Sequence, residues 1–294
     1  MKTSIIIRTY NEERYLKQLL EGIEAQSIGP ELRETIIVDS GSTDSTIEIA
    51  NSFTTKIVNI KKEEFSFGRS LNIGIEAASG DAMVLISGHC VPASPDWLAE
   101  LLQPFKDSET VGITYGKQLP GPETFFSEAQ IFAKYFPASE LPSQSKFYCN
   151  NANAAVRKEV WERYKYDEEL TGLEDMHLAK KATTDGLTVQ YAPRAPVFHY
   201  HHESWRQIKR RFEREAIALK AIMPELHVTF LDAIRYWFAG VLGDYSAALS
   251  ERKLCQNLLS VPKYRLCQYY GSWKGNRQHR RLSKKKKERY FYPK

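Results

Sequence analysis

The chain has 294 residues, 42% of them hydrophobic and 26% charged, a composition that excludes a wholly disordered chain and suits one large domain or a domain with an appendage. Its net charge of +5 is uneven, because residues 274–294 hold ten Lys or Arg against Glu288 alone and leave residues 1–273 at −4. The cysteines, Cys90, Cys149, Cys255 and Cys267, form no CxxC pair, which argues against a zinc site or a disulfide framework and fits a reducing cytosol.

In chain order, SIIIRT is too short an apolar run for a signal peptide and soon meets Glu12 and Glu13, so it reads as a first strand. A helix over 12–26 places Tyr15, Leu19, Leu20 and Ile23 at helical spacing. ETIIVD is a strand, DSTIEIANSF a helix, KIVNI a strand, SLNIGIEAAS a helix, DAMVLIS a strand and PDWLAELLQPF a helix with Pro95 near its start. VGITYGKQ adds a further strand, and the alternation is that of an α/β sheet. After Gly121 the pattern loosens into a helix at FFSEAQIFAKYF, an irregular ELPSQSKFYCNNANAAV, and helical VWERYKY and EDMHLAKKATTDG.

From Ser204 to about Cys267 the chain reads as helical and aromatic. Its most apolar stretch, VTFLDAIRYWFAGVLGDYSAAL, is interrupted by Asp232, Arg235 and Asp244, which favours an amphipathic helix over a spanning one. Such a helix suits packing on the sheet domain, a membrane interface or a dimer contact. The tail RRLSKKKKERYFYPK is either a solvated end or an adhesive for an anionic membrane surface, where clustered cations contribute roughly 1 kcal/mol each and Tyr290, Phe291 and Tyr292 could sit at the interface. Nothing else resembles a nucleic-acid module. The expected organisation is therefore a sheet domain over 1–203, a helical region over 204–273 and a basic aromatic tail over 274–294.

Ligands of open α/β sheets bind beyond the carboxyl ends of strands. Four loops meet that condition: RTYNEE, VDSGSTD and ISGHCVP after strands, and TGLEDMH, which opens a later helix. In VDSGSTD, Asp39 can accept from a base imide or amine, Ser40 and Gly41 allow tight backbone approach, and Ser42, Thr43 or Asp44 can cap the next helix. In GLEDMH, Glu174 and Asp175 stand side by side where helix N–H groups favour negative charge, so at least one should be ionised near neutral pH. VFHYHHESWRQIKRRF carries His199, His201 and His202 ahead of Arg210 and Arg211, cations suited to phosphate or an anionic lipid carrier.

SIIIRTYNEERYL, TIIVDSGSTDST, FSFGRSLNIGIEAASGD and TGLEDMHLAKK together resemble a family 2 glycosyltransferase of the GT-A fold over roughly the first 200 residues. The resemblance implies a mixed, mostly parallel sheet flanked by helices, here with a helical C-terminal extension. It implies inverting transfer of a sugar from a nucleotide donor to a hydroxyl of a glycan or lipid-linked acceptor, as in bacterial capsule or lipopolysaccharide assembly, by a cytoplasmic enzyme peripheral to the inner face of the membrane. By resemblance, Thr9, Tyr10, Asn11 and Glu12 line the nucleotide pocket, Asp39 reads the base, and Arg69 and Asn72 border the donor phosphates. Asp175 is then the base that removes the acceptor proton, Glu174 orients the acceptor, His199 touches metal or diphosphate, and His201 and His202 face the acceptor.

One stretch departs from the family. Its members usually end the strand before VP with an Asp-x-Asp-like acid motif, whereas residues 87–90 here are Ser87, Gly88, His89 and Cys90. A divalent ion, Mn or Mg, prefers carboxylate oxygens. Three readings stay open: an ion held by His89 and His199, a metal-free site in which Ser87, histidines and arginines meet the phosphate, or a noncatalytic sugar-nucleotide-binding relative. The second suits a CMP-linked acidic sugar (Kdo or a nonulosonic acid), whose monophosphate leaving group carries less charge than a nucleoside diphosphate.

Overall fold

Two strands, β1 (Thr3–Thr9) and β4 (Ala82–Ser87), bury nearly every side chain, and both lie inside an eight-stranded sheet of order β3-β2-β1-β4-β7-β6-β8-β5. Their runs SIIIRT and AMVLIS show no polar alternation because strands covered on both faces need none. The other strands are β2 (Arg33–Asp39), β3 (Lys56–Asn59), β5 (Cys90–Pro92), β6 (Val111–Pro120), β7 (Asn153–Arg157) and β8 (Thr188–His199). All run one way except β7 and β5, so the sheet is mixed and mostly parallel, as expected. The computed structural model describes residues 1–139, 147–278 and 290–291; residues 140–146 of the irregular segment, and residues 279–289 and 292–294 of the tail with Tyr292, lie outside them.

The chain divides into two units. The first comprises Met1–Gly121, Phe136–Glu169 and Glu174–Tyr200, and holds the whole sheet. Its helices are α1 (Glu13–Glu24), α2 (Thr46–Asn51), α3 (Phe67–Glu76), α4 (Trp97–Asp107), α6 (Lys158–Tyr164) and α7 (Glu174–Thr184), with α5 (Phe126–Tyr135) belonging to the second unit. Leu16, Leu19, Leu20 and Ile23 of α1 join Ile5, Ile7, Trp97 and Leu101 in one core. Tyr15, expected on that face, instead stacks on Tyr200 with ring centroids 4.2 Å apart. Helix α3 crosses the sheet so closely that a Cβ on Gly74 would lie 2.7 Å from methyls of Ile6 and Val38, which is why that position carries none.

Sheet direction decides where chemistry can occur. The carboxyl ends of the six parallel strands open on one edge, and β7, running the other way, begins there. Strand β8 survives Pro193 and Pro196 because both fall where its register with β6 breaks, between Ala192 opposite Gly116 and Val197 opposite Gln118, so neither has to donate to the ladder at that edge.

The second unit comprises Pro122–Tyr135, Leu170–Leu173 and His201–Lys294, so the helical part begins three residues before the expected boundary at 204 and also takes α5. It contains α8 (Trp205–Ile222), α9 (Phe230–Ser250), α10 (Leu254–Asn257) and α11 (Ser260–Asn276). Helix α9 packs on α11 through the buried Asp244, whose carboxylate pairs with both Arg265 Nε at 2.7 Å and Arg265 Nη2 at 2.5 Å. No helix among the described residues is long and apolar enough to cross a membrane. Tyr290 of the tail is buried, its hydroxyl donating to Glu213 Oε1 at 3.1 Å, so that ring is not the exposed interfacial aromatic expected from the sequence.

The buried pair yields a stability test. Asp244→Ala leaves the Arg265 guanidinium buried without its anion and should lower unfolding free energy by about 3–5 kcal/mol, whereas the double change Asp244→Leu with Arg265→Met should recover most of that loss. Denaturant unfolding followed by circular dichroism reads both, and equal losses in the two variants would contradict the pairing.

Candidate active site

Three residue groups gather at the open edge of the sheet unit. The first ties the loops after β1 and β2 together. Asp39 is 2% exposed and accepts four hydrogen bonds: from Thr9 Oγ1 at 2.9 Å, Ser42 Oγ at 2.5 Å, and the backbone N–H groups of Gly41 and Ser42, each at 2.9 Å. Two carboxylate oxygens offer about four acceptor sites, so the protein itself fills them. Asn11, at φ 58°, donates its backbone N–H to Ser42 Oγ at 2.9 Å and accepts on Oδ1 from Thr43 N–H at 2.8 Å. Gly41 stands at φ 89° at the tip, where nothing lies within 4 Å of an added Cβ, leaving backbone room for a ligand. Ser40 is buried and donates to Thr9 O, and the Tyr10 ring lies 4.6 Å from Lys62 Nζ, which also bonds the Tyr10 hydroxyl.

The second group is acidic. Glu174 and Asp175 open α7 and are both buried, at 4% and 8% exposure. Glu174 Oε1 accepts from Arg8 Nη1 at 3.3 Å and from Asn151 Nδ2 at 3.5 Å. Asp175 accepts from the backbone N–H of Asn151 at 3.0 Å and from that of Met176 at 2.7 Å. Burial first, and then the neighbouring Glu174 charge, push the Asp175 carboxyl up to about 7 against the opposing pull of those two N–H groups and Arg8. The sequence reading expects at least one of the pair to be ionised; at Asp175 burial, more than the Glu174 charge, outweighs the helix end.

The third group answers the missing acid motif. His89, half-buried at the turn after β4, places Nδ1 2.8 Å from Glu12 Oε1 and stacks on His199 with ring centroids 5.1 Å apart. His199, at the end of β8, is buried and bonds Gln118 Oε1 through Nδ1 at 2.7 Å. Ser87, half-buried, ends β4 beside this turn.

Other expected residues go elsewhere. Asn72 spends its whole side chain inside the fold: Nδ2 donates to Tyr166 O and Glu168 Oε1, while Oδ1 accepts from Trp161 Nε1 and Tyr166 N, so it supports α3 and leaves no atom for a donor phosphate. Arg69 pairs with Glu168 at 3.6 Å. In the helical unit, Arg211 sits against Glu128 and Glu203 at 2.5 and 2.8 Å and so neutralises protein carboxylates rather than waiting for phosphate. Although burial works against it, Arg211 and His201 hold the Glu128 carboxyl down to about 2. His201 bonds Glu128, His202 bonds Glu123, and Arg210 is half-buried on α8.

Arg8 and Asn151 belong to the acidic group and escape a sequence reading. Arg8 is a charge inside an otherwise apolar strand run, a usable signal; Asn151 lies in an irregular segment whose return to the sheet as β7 has no periodic signature.

Comparison with known proteins agrees with this architecture. The profile of glycosyl transferase family 2 matches residues 4–165. The O-antigen chain rhamnosyltransferase RfbN of Salmonella typhimurium is 28% identical over 224 residues, covering 72% of this chain and 70% of that protein. Among solved structures, the mannosyltransferase PcManGT from Pyrobaculum calidifontis, in complex with GDP-Man and Mn2+, superimposes with a TM-score of 0.64 at 17% identity, over 92% of this chain and 86% of that one. TarS 1–349 of S. aureus, in complex with UDP-GlcNAc, gives 0.59 at 17% identity, over 94% and 90%.

Asp39→Asn tests the loop scaffold. An amide replaces two acceptor sites with donors that face N–H or O–H groups, so unliganded stability should fall by about 1–3 kcal/mol. A residue that only reads the base would leave the unliganded unfolding midpoint unchanged.

Proposed function

The chain belongs to glycosyl transferase family 2, and on that premise we propose that it transfers a sugar, with inversion, from a nucleoside-diphosphate donor to a hydroxyl of a glycan or lipid-linked acceptor in surface polysaccharide assembly. Its glycosyltransferase activity follows from membership and from relatives so named. The observation that carries the mechanism is the buried Asp175 carboxyl, raised to about 7 at the open strand edge, because a base is most effective when its pKa lies near the working pH. Asp175 takes the acceptor hydroxyl proton. The freed oxygen bonds to the anomeric carbon, and the bond from that carbon to the phosphate oxygen breaks, its electron pair leaving with the nucleotide. Glu174, held by Arg8 and Asn151, keeps Asp175 basic and orients the acceptor. The loops bound by Asp39 and Asn11, with Gly41 at their tip, present backbone to the nucleotide.

The Mn2+ in the PcManGT complex raises the question of an ion here. The turn after β4 supplies a hydroxyl and an imidazole but no carboxylate, and Glu12, the adjacent acid, already engages His89. The ring nitrogens of His89 and His199 do come within 4.8 Å of one another, but imidazoles suit a softer ion than Mn or Mg, which want several oxygen ligands. In the proposed mechanism His89, positioned by Glu12, is the hydrogen-bond donor that meets the leaving phosphate. The same arrangement favours a second reading of the donor, a CMP-linked acidic sugar with a monophosphate leaving group. Thermal shift across UDP-, GDP-, dTDP- and CMP-sugars separates the two. The enzyme is proposed to work in the cytoplasm, peripheral to the inner face of the membrane, supported by the cationic balance of its C-terminal part.

Asp175→Asn should lower turnover by about two orders of magnitude or more while donor affinity stays nearly constant. In the intact enzyme kcat/KM should fall about tenfold per pH unit below about 7, as protonation removes the base. A larger loss from Glu174→Gln than from Asp175→Asn, in initial rates with a saturating donor, would reverse the assignment.

Transfer should largely survive strong chelation, and His89→Ala should cost roughly ten- to a thousandfold. Activity lost in chelator and restored by Mn or Mg would overturn the metal-free mechanism.

A further inference from the structure

Helix α9 is amphipathic the wrong way round. The side it turns into its own unit carries Ala233, Val241, Asp244 and Ala248, all buried, whereas Leu231, Ile234, Phe238, Leu242 and Leu249 repeat every three, four or seven residues along an exposed stripe. Leu231 is 76% exposed and Leu242 67%, values ordinary for lysine and costly for leucine. At 1.5 Å per residue the stripe runs about 30 Å. Next to it, a groove of about 200 Å³ is lined by Phe230, Ile234, Trp237, Leu266, Tyr270 and Trp273.

The charges bordering this face select its occupant. Lys209 Nζ lies 5.9 Å from the Tyr270 ring and the Arg277 guanidinium 5.1 Å from that of Trp273, so cations stand over two of the groove's aromatic walls. Arg235, Arg252 and Lys263 are exposed on the same helices and their connection. Against them residues 230–278 hold three acids, each engaged: Asp232 caps α9 through Thr229, Asp244 is buried on Arg265, and Glu251 pairs with Lys253. A partner protein of complementary shape would need acids to meet these cations, and a second copy would bring its own cations to the contact. An anionic bilayer supplies both an apolar interior for the leucine stripe and phosphate for the rim, with Tyr and Trp at the boundary.

We infer that the exposed face of α9 with the α9–α11 groove is a monotopic membrane-binding surface that lies in an anionic lipid interface. The inference uses the peripheral placement proposed above but not the donor, acceptor or catalytic assignments, so loss of vesicle binding and loss of transfer are separate outcomes. It also moves adhesion from the tail, whose Tyr290 is buried, to a folded helix face.

Flotation of the full chain with phosphatidylglycerol–phosphatidylcholine vesicles tests it. Binding should be strong, should weaken as salt screens the rim, and should be at least tenfold weaker on pure phosphatidylcholine. Leu231→Glu with Leu242→Glu should reduce binding tenfold or more and leave the unfolding midpoint and the hydrolysis of donor unchanged, while replacing Lys284, Lys285, Lys286 and Lys287 by Gln should reduce it less than the leucine variant does. Vesicle binding unaffected by the leucine substitutions overturns the inference. So does a stable dimer in analytical ultracentrifugation that those substitutions dissociate, which would assign the face to a second copy of the chain.

Discussion

Two neighbouring carboxylates, Glu174 and Asp175, are buried where strand ends converge, and the rest of the sheet unit is arranged to hold them. A buried charge is expensive unless hydrogen bonds and an opposite charge repay its lost hydration. Arg8 supplies the charge from the end of β1, and Asn151, which reaches the same edge because β7 begins there, supplies an N–H to each acid. One arginine cannot neutralise both, so the pair sheds part of the cost by lifting one member, Asp175, toward a neutral form. Strain of this kind is useful in an enzyme: the fold stores, as a raised proton affinity, the driving force that a base needs.

Hydrogen-bond completeness separates scaffold from site. Asp39 and Asn72 look on paper like groups awaiting a ligand, and each is satisfied by the protein, while the Arg211 charge is met by Glu128 and Glu203. Asp39 fixes the loops so that Gly41 can offer its backbone; Asn72 fixes α3; Arg211 neutralises the carboxylates of α5 and the loop before α8. His89, held to Glu12 through Nδ1, is the titratable ring at the turn after β4. An imidazole tied in this way can serve a leaving phosphate where a carboxylate could act only through a cation.

Much of the first unit was legible because burial writes itself into residue choice. The unbroken apolar runs of β1, β2 and β4, the helical spacing of Leu19, Leu20 and Ile23, and the punctuation of VDSGSTD each have a local cause. Three strands did not, the first of them β5, a three-residue piece defined only by its pairing with β8. Strand β7 is NAAVR, five residues whose alanines have little strand preference and which become a strand only because β4 and β6 flank them. Strand β8 contains two prolines that a local reading counts against it, tolerated at a register break that only pairing defines. The acid pair was legible as a pair, but the sign of its perturbation was not, since helix position argues for ionisation and burial, invisible in a sequence, argues more strongly against it. The exposed leucines of α9 were legible as apolar, yet which side they face depends on Asp244 finding Arg265.

Asp175 is proposed as a base tuned by burial and by Glu174. Its side-chain carboxyl can be followed directly, by carbon-13 NMR of protein labelled at the aspartate γ-carbon, with the resonance assigned through Asp175→Asn. A titration midpoint raised well above the ordinary aspartate range in the intact enzyme, moving down in Glu174→Gln, is the expected result. A midpoint near 4 that ignores Glu174 would contradict it.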